Sequence, residues 1–172
     1  MKTAFFALFL SLSALAQNTN PWPDACGPRQ TKFDVDRDWY LARHFTPATP
    51  AGKATIYFIE RDSGVVKVGI DGAWVGATNT GSWFAVTVDP GRHRVCEYTT
   101  GSAWDYYVSH PVQLADVDAH SGESYYFRAW MSGYVRHAST FHLETISAHD
   151  GNRLIAKYPL SVFQAKKAKK KK

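Results

Sequence analysis

Residues 65–78 read VVKVGIDGAWVGAT, and this stretch decides the fold. Short runs of β-branched and aromatic residues lie on both sides of the dipeptide Asp71-Gly72. A tight type I′ turn favours Asp-Gly because both of its central positions need positive φ. The stretch therefore predicts a β-hairpin with strands at 65–70 and 73–78.

Similar runs continue on both sides, separated by glycine, aspartate and proline. They predict strands at 54–60, 65–70, 73–78, 82–88, 92–98, 112–117, 123–131 and 140–146. Turns at 79–81 and 89–91 lie between neighbouring runs, and in the second Pro90 and Gly91 have the φ preferences that a turn requires. A recurrence of about 8–12 residues is typical of a sandwich or barrel. The predicted class is an all-β antiparallel β-sandwich of immunoglobulin or prealbumin type, with about seven to nine strands.

The segments that flank these strands are less regular. Residues 17–51 hold five of the eight prolines and form a largely irregular lead-in, in which residues 31–36 are the one candidate edge strand, through Phe33 and Val35. After the last strand, residues 147–150 (SAHD) have the form of a capping box and predict a short helix that ends before Pro159. The alternative for this segment is a hairpin at Asp150-Gly151 with a final strand at 154–158.

The N-terminus has the form of a secretory signal peptide at residues 1–16. Lys2 precedes an apolar run of roughly a dozen residues, too short to span a bilayer, and a small-x-small triplet ends at Ala16. We expect cleavage after Ala16 and a secreted or periplasmic protein with no transmembrane segment. Lipid attachment would need a cysteine at the cleavage point, but Cys26 lies ten residues beyond it. The rest of the chain is long enough for one domain, at 52–162.

Two cysteines, Cys26 and Cys96, follow the cleavage site. In an exported protein such a pair ordinarily ends as a disulfide, so we predict a Cys26–Cys96 bond; two separate buried thiols are the alternative. The bond would close a loop of about seventy residues, which stabilises a fold by about 4 kcal/mol in the chain-entropy description. It would also tie the lead-in to the sheet.

The positive charge is concentrated at the C-terminus. Of the 20 Lys and Arg, one lies in the signal peptide and six in the terminal run, which is Lys166, Lys167, Lys169, Lys170, Lys171 and Lys172. The other 13 are balanced by 15 Asp and Glu, so the body has no basic footprint for nucleic acid. A lysine run buries nothing apolar and repels itself, which predicts a disordered tail at 163–172. The tail either attaches the protein to an anionic envelope surface or serves only to solubilise the chain.

Aromatic residues are the one compositional feature that points to binding. Most must lie in the core, but period-2 alternation puts Tyr126 and Trp130 on one strand face, and Trp104 and Tyr106 lie in a long link between strands. Exposed rings stack on sugars and dominate protein interfaces. We therefore predict a binding face of Trp104, Tyr106, Tyr126 and Trp130, with ordinary core packing as the alternative.

Motifs for catalysis are missing from the sequence. No two histidines have the i, i+4 spacing of a zinc protease, and there is no Gly-x-Ser-x-Gly elbow or phosphate-binding glycine pattern. We predict no catalytic, cofactor-binding or metal-binding residue. Alternation puts Asp116, Asp118 and His120 on one strand face. These side chains are interpreted either as a metal site or as part of a solvated strand edge.

Four segments resemble a known bacterial family. They are residues 52–59 (GKATIYFI), 68–76 (VGIDGAWVG), 88–96 (VDPGRHRVC) and 121–128 (SGESYYFR). Together they make residues 52–160 similar to the domain-of-unknown-function family numbered 2846, and the lead-in resembles its exported members of acidobacterial type. The core unit is more weakly similar to PEGA-type surface domains. These resemblances imply a small exported β-sandwich and no reaction.

Three functions remain open at this point. The sequence favours a non-catalytic binding or interaction module of the cell envelope, whose partner is a wall glycan, an anionic lipid or another envelope protein. A hydrolase with an unrecognised site is the alternative, and it needs a pocket that encloses at least two of Asp105, Asp116, Asp118, His110 and His120. A purely structural envelope subunit is the third interpretation.

Overall fold

The structure, a computed structural model, describes residues 22–45, 48–99, 108–109, 111–135 and 138–166. In these ranges the strands are β1 (Phe33–Asp38), β2 (Ala54–Glu60), β3 (Val66–Ile70), β4 (Ala73–Thr78), β5 (Ser82–Val88), β6 (Gly91–Thr99), β7 (Val108–Ser109), β8 (Val112–Ala119), β9 (Ser124–Val135), β10 (Ala138–Ile146) and β11 (Leu160–Ala165). The helices are α1 (Trp39–His44) and α2 (Ala148–Lys157). The predicted signal peptide lies outside the described residues.

The strands form two sheets that pack face to face. The large sheet has the order β1-β11-β5-β2-β9-β10-β7, and the small sheet has the order β4-β3-β6-β8. Phe58 and Phe127 of the large sheet share one buried apolar cluster with Val68 and Val95 of the small sheet. The predicted β-sandwich is confirmed. Most pairs are antiparallel, but β2–β9, β5–β11 and β7–β10 are parallel.

The hairpin predicted at Asp71-Gly72 is confirmed, with φ of 50° at Asp71 and 87° at Gly72 and antiparallel pairing of β3 with β4. The turns at 79–81 and 89–91 do not form hairpins within one sheet, because each carries the chain from one sheet to the other. As a result β5 pairs with β2, and β6 pairs with β3.

The predicted C-terminal helix is confirmed as α2. The Ser147 hydroxyl accepts a hydrogen bond from the Asp150 amide at 3.1 Å, and Pro159 follows the helix closely. Because α2 covers the outer face of the large sheet, Leu154 joins a buried cluster around Trp83. The alternative hairpin in this segment is wrong.

The predicted tail begins too early. Residues 160–165 form β11, which pairs with the predicted edge strand β1. Phe163 lies 5.1 Å from Phe84 between ring centroids and packs against the apolar core. The Lys166 amide donates to the Lys32 carbonyl at 2.8 Å. The fold therefore extends to Lys166, and residues 167–172 lie outside the described residues.

Helix α1 is an element that the sequence analysis does not predict. It follows β1 directly, and the Asp38 carboxylate caps it by accepting from the Leu41 amide at 2.8 Å. The helix has six residues and none of them is buried. Such a short helix carries no amphipathic period from which it could be recognised.

The lead-in is tied to the small sheet as predicted. Cys26 and Cys96 form a disulfide with their Cα atoms 5.2 Å apart. The Ala25 carbonyl accepts from the Gly72 amide at 3.1 Å. A Cβ on Gly69 would lie 2.9 Å from that same carbonyl oxygen, so this close approach requires glycine.

No helix in the described ranges is long and apolar enough to cross a membrane.

Removing the disulfide tests its contribution to stability. We expect the Cys26→Ser/Cys96→Ser double variant to lose about 4 kcal/mol of unfolding free energy, since the bond constrains the unfolded chain across a separation of 70 residues. Urea denaturation followed by tryptophan fluorescence measures the loss. Wild-type protein in reductant is the matched control and should unfold like the variant. A loss of less than about 1 kcal/mol would contradict the prediction.

Candidate anion-binding cleft

A cleft of about 490 Å³ opens where the lead-in crosses the small sheet beside the end of β11. The cleft, as the name is used below, is lined by Arg29, Gln30, Thr31, Lys32, Phe33, Val65, Lys67, Tyr98 and Lys166. These residues come from the lead-in, the loop before β3, strands β3 and β6, and the residue that follows β11. Residues that are more than a hundred positions apart in the sequence therefore meet at one site.

Lys67 is the most enclosed cation of the cleft. Val66 and Val68 face the interior, so the period of β3 turns Lys67 to the outer face of the small sheet. Its ammonium donates to the carbonyls of Arg29 at 3.1 Å and Thr31 at 3.0 Å. The side chain is only 6 % exposed because the lead-in covers it.

Two aromatic rings surround the Lys67 ammonium. It lies 4.6 Å from the ring centroid of Trp74 and 4.6 Å from that of Tyr98. Cation–π contacts of this kind stabilise a buried cation without cancelling its charge. Burial, followed by the nearby charge of Arg29, lowers the pKa of Lys67 from its ordinary value.

The lead-in is held firmly at this place. The Trp74 indole donates to the Pro28 carbonyl at 2.8 Å, and the Trp22 indole donates to the Gly27 carbonyl at 2.9 Å. The Arg29 guanidinium lies 5.4 Å from the centroid of the Trp22 ring. The wall of the cleft is thus held in place by hydrogen bonds within the protein.

The charge of the cleft is one-sided. Its described lining holds four cations, Arg29, Lys32, Lys67 and Lys166, and no acidic residue. Lys166 pairs with the exposed Asp34 at 2.5 Å. For the other three, the described part of the chain contains no salt bridge. A concave surface with unbalanced positive charge concentrates anions.

A second cluster of charged groups lies inside the sandwich. Glu60 ends β2 on the interior face and is 0 % exposed, and Glu97 of β6 faces it from the small sheet at 1 % exposed. Glu60 accepts hydrogen bonds from the amides of Ser63 and Gly81. One carboxylate oxygen of Glu97 is buried with no hydrogen-bond partner in the described ranges. Glu60 and Glu97 are called the acid pair below.

Burial favours the protonated form of both carboxyl groups of the acid pair. It raises the pKa of Glu60 to about 7, although hydrogen bonds from the amide and side chain of Ser63 and from the Gly81 amide lower it, and the charge of Asp62 adds to the rise. Burial and the charge of Glu60 raise the pKa of Glu97 to about 8. The pair therefore titrates near neutral pH, whereas exposed glutamates ionise near pH 4.

The predicted aromatic binding face is only partly within the described residues. Trp104 and Tyr106 lie outside them. Tyr126 is buried under α2, stacks on Tyr57 with 4.7 Å between centroids and donates to Asn152, so it is not an exposed ring. Trp130 stacks on His142 at 4.3 Å. Tyr126 and Trp130 do share one face of β9. Helix α2 covers Tyr126, however, and alternation along a strand does not predict where a helix packs.

Exposed aromatic rings occur instead at α1. Trp39 is 54 % exposed and Tyr40 is 71 % exposed, and Phe45 just beyond the helix is 46 % exposed. Tyr40 stacks on His44 with 4.2 Å between ring centroids. This segment belongs to the predicted irregular lead-in, for which no binding role is predicted.

The residues named for a hydrolase do not form a described pocket. Asp105 and His110 lie outside the described residues. Asp116 is exposed and pairs with Arg92 at 2.9 Å, which agrees with a solvated strand edge. Asp118 and His120 are exposed, and the Tyr125 hydroxyl contacts the backbone of both. Among the residues described, no group of three or more His, Cys, Asp or Glu is arranged to hold a metal ion.

One serine does lie beside a histidine. The Ser132 hydroxyl and His142 Nε2 are 2.6 Å apart on neighbouring strands β9 and β10. Within the described ranges no carboxylate forms an ion pair with His142, so the acid that orients the base of a catalytic triad is not seen there.

Lys67, Glu60 and Glu97 are not among the predicted site residues, although the sequence carries a signal for the two glutamates. Continuing the alternation of Ile56 and Phe58 places Glu60 on the core face. Continuing it from Val95 places Glu97 there too. Both glutamates lie near predicted strand ends, where polar residues ordinarily turn to solvent.

The lysine run is divided by the structure. Lys166 lines the cleft, whereas Lys167, Lys169, Lys170, Lys171 and Lys172 lie outside the described residues.

Comparison of the chain with protein-family models, curated proteins and solved structures finds no match. The resemblance to the family numbered 2846 therefore stays a prediction.

The acid pair predicts that stability falls as pH rises. Because both pKa values are raised in the folded state, the stabilisation is complete below about pH 4.5 and is lost as pH rises through 7 and 8. Between pH 5 and 9 we expect wild type to lose on the order of 3 kcal/mol more than a Glu97→Gln variant. Urea denaturation across this range measures both.

His93 requires a control in that experiment. Burial lowers its pKa, but hydrogen bonds and charge from Asp71 and Asp89 outweigh this and leave it raised, so its contribution has the same sign. The comparison with Glu97→Gln removes this contribution, since both proteins retain His93. The exposed Glu123→Gln variant should keep the wild-type profile. Parallel profiles for wild type and Glu97→Gln would show the prediction to be wrong.

Proposed function

We propose that this protein is an exported, non-catalytic binding module of the cell envelope that takes an anionic polymer of the wall or outer surface in the cleft. The observation that carries the proposal is the one-sided charge: four cations line the cleft, with Lys67 almost fully enclosed. An enclosed cation without an acidic neighbour interacts more strongly with an incoming anion than a solvated surface lysine does.

The lining suits a ligand that combines anionic groups with a ring or chain. Phe33 and Tyr98 supply half-buried aromatic surface, and Gln30 and Thr31 supply polar groups beside the cations. Phosphate or carboxylate groups repeated along a polymer would meet Arg29 and Lys67 in turn. Arginine adds bidentate hydrogen bonding to either anion.

The lysine run strengthens this interpretation. Chain connectivity attaches it directly to Lys166 on the rim of the cleft, and six residues span at most about 20 Å. Five further lysines are thus tethered within reach of any polymer that occupies the cleft. A tethered second contact raises the effective concentration of the first.

A hydrolase remains the second candidate because of the Ser132–His142 hydrogen bond. A serine with an adjacent base is the first requirement of nucleophilic catalysis. Turnover of p-nitrophenyl acetate that is lost in Ser132→Ala would support it, and equal background rates would exclude this pair as the site.

Binding of defined polyanions tests the proposal. We expect inorganic polyphosphate or polygalacturonate to bind at 50 mM NaCl, with Arg29→Gln/Lys32→Gln weakening the affinity about tenfold, since each lost contact removes a charge-assisted interaction. Arg43→Gln/Lys157→Gln is the matched control, because it removes the same two charge types from exposed positions outside the cleft. Isothermal titration calorimetry reports the affinities.

Other results of this experiment separate the sources of the anion. Binding to phosphatidylglycerol vesicles but to neither polymer would identify a lipid headgroup. Binding lost only on truncation after Lys166 would assign attachment to the lysine run alone. Equal weakening by the control variant would mean that net charge, and not the cleft, attracts the polymer.

A further inference from the structure

A chain of contacts connects the acid pair to the wall of the cleft. The Glu60 carboxylate accepts from the Ser63 amide, and the Ser63 carbonyl accepts from the Thr99 hydroxyl at 2.9 Å. Val65, two residues after Ser63, lines the cleft, and so does Tyr98, which precedes Thr99. The loop at 61–65 is thus held on one side by Glu60 and forms the cleft on the other.

The two strands of the cleft also carry Glu97. Glu97 is paired with Val68, and Tyr98 with Lys67, in the antiparallel register of β6 and β3. Successive residues point to opposite faces, so Glu97 lies behind the sheet whose front presents Lys67 and Tyr98. A charge on Glu97 is therefore separated from the cleft by the thickness of one sheet.

We propose that the acid pair regulates the cleft, which binds its anion while the pair retains a proton and releases it when both carboxyl groups are ionised. This inference rests on the anion-binding function proposed above. Two effects act in the same direction. The second negative charge lowers the positive potential at Lys67, and repulsion between the two carboxylates loosens the hold of Glu60 on Ser63 and Gly81.

In the described part of the chain, few other charged side chains lie near the acid pair that could explain a pH dependence of anion binding. From the 61–65 loop, Asp62 acts on Glu60, and Arg61 lies 3.6 Å from Asp62. From β8 the residue opposite Glu97 is the neutral Gln113. On the core side β9 and β10 supply the apolar residues Ala129, Met131 and Phe141. Lys67 lies on the far side of the sheet, where it is paired with Tyr98.

Glu97 is also the member of the acid pair that hydrogen-bond donors stabilise least. Its buried oxygen without a described partner makes the ionised form costly. A second ionisation is therefore relieved by movement of the loop and not by existing hydrogen bonds.

The test measures binding of dextran sulfate from pH 6 to pH 9, because sulfate esters keep their charge over this range. Between pH 6 and pH 9 we expect the affinity of wild type to fall about three- to tenfold more than the affinity of Glu97→Gln. The variant should therefore retain more of the affinity that it has at pH 6. Loss of charge from Lys67 is common to both proteins and cancels in the comparison. Glu123→Gln, an exposed change of the same type, should follow wild type.

The outcomes separate the two proposals. If Arg29→Gln/Lys32→Gln binds dextran sulfate as tightly as wild type at pH 6, the cleft is not the site and the proposed function fails. If that variant binds weakly but wild type and Glu97→Gln show the same pH dependence, the function stands and the regulation is overturned.

A measurement on wild type guards against a Glu97→Gln variant that does not fold. Hydrogen exchange of the Ser63 amide, corrected for its intrinsic rate, should show at least tenfold less protection at pH 9 than at pH 6. Unchanged protection would overturn the proposed coupling between the acid pair and the loop.

Discussion

Attachment of the lead-in to the outer face of the small sheet is the constraint on which the rest of the site depends. Lys67 would be an ordinary exposed lysine on a strand if the lead-in were absent. The Cys26–Cys96 bond and the indole hydrogen bond of Trp74 place two backbone carbonyls over its ammonium, and Arg29 comes with them. The same covalent bond that stabilises the fold therefore creates the enclosed cation and sets the concave wall beside it.

The interior shows a different balance. A sandwich core gains most from apolar contacts, yet Glu60 and Glu97 occupy positions on the facing sides of both sheets. Well-packed apolar side chains commonly replace buried charged groups without loss of stability. The acid pair is thus poorly explained by stability alone. Glu60 does organise two loops through Ser63 and Gly81, which fits a role in positioning the residues that border the cleft.

Local signals predicted the local structure well. Asp71-Gly72 specified a turn, Ser147 specified the start of α2, and alternation specified most strands, because each of these depends on a few neighbouring residues. Which strands pair, and which helix covers a face, depends on contacts distant in sequence. Tyr126 is an example, since it is covered by α2 some twenty-five residues later. The cleft combines residues 29–33 with Lys67, Tyr98 and Lys166, so no local sequence motif predicts it.

The distribution of salt bridges supports binding over a purely structural role. Elsewhere on the surface Lys53, Arg92 and Arg94 each pair with an aspartate. In the cleft the positive charges of Arg29, Lys32 and Lys67 accumulate without such partners in the described chain, although mutual repulsion opposes this. Such an arrangement destabilises the empty protein slightly and favours any state in which an anion lies between the cations. The anionic ligand proposed for the cleft would supply the counter-charge that these three cations lack.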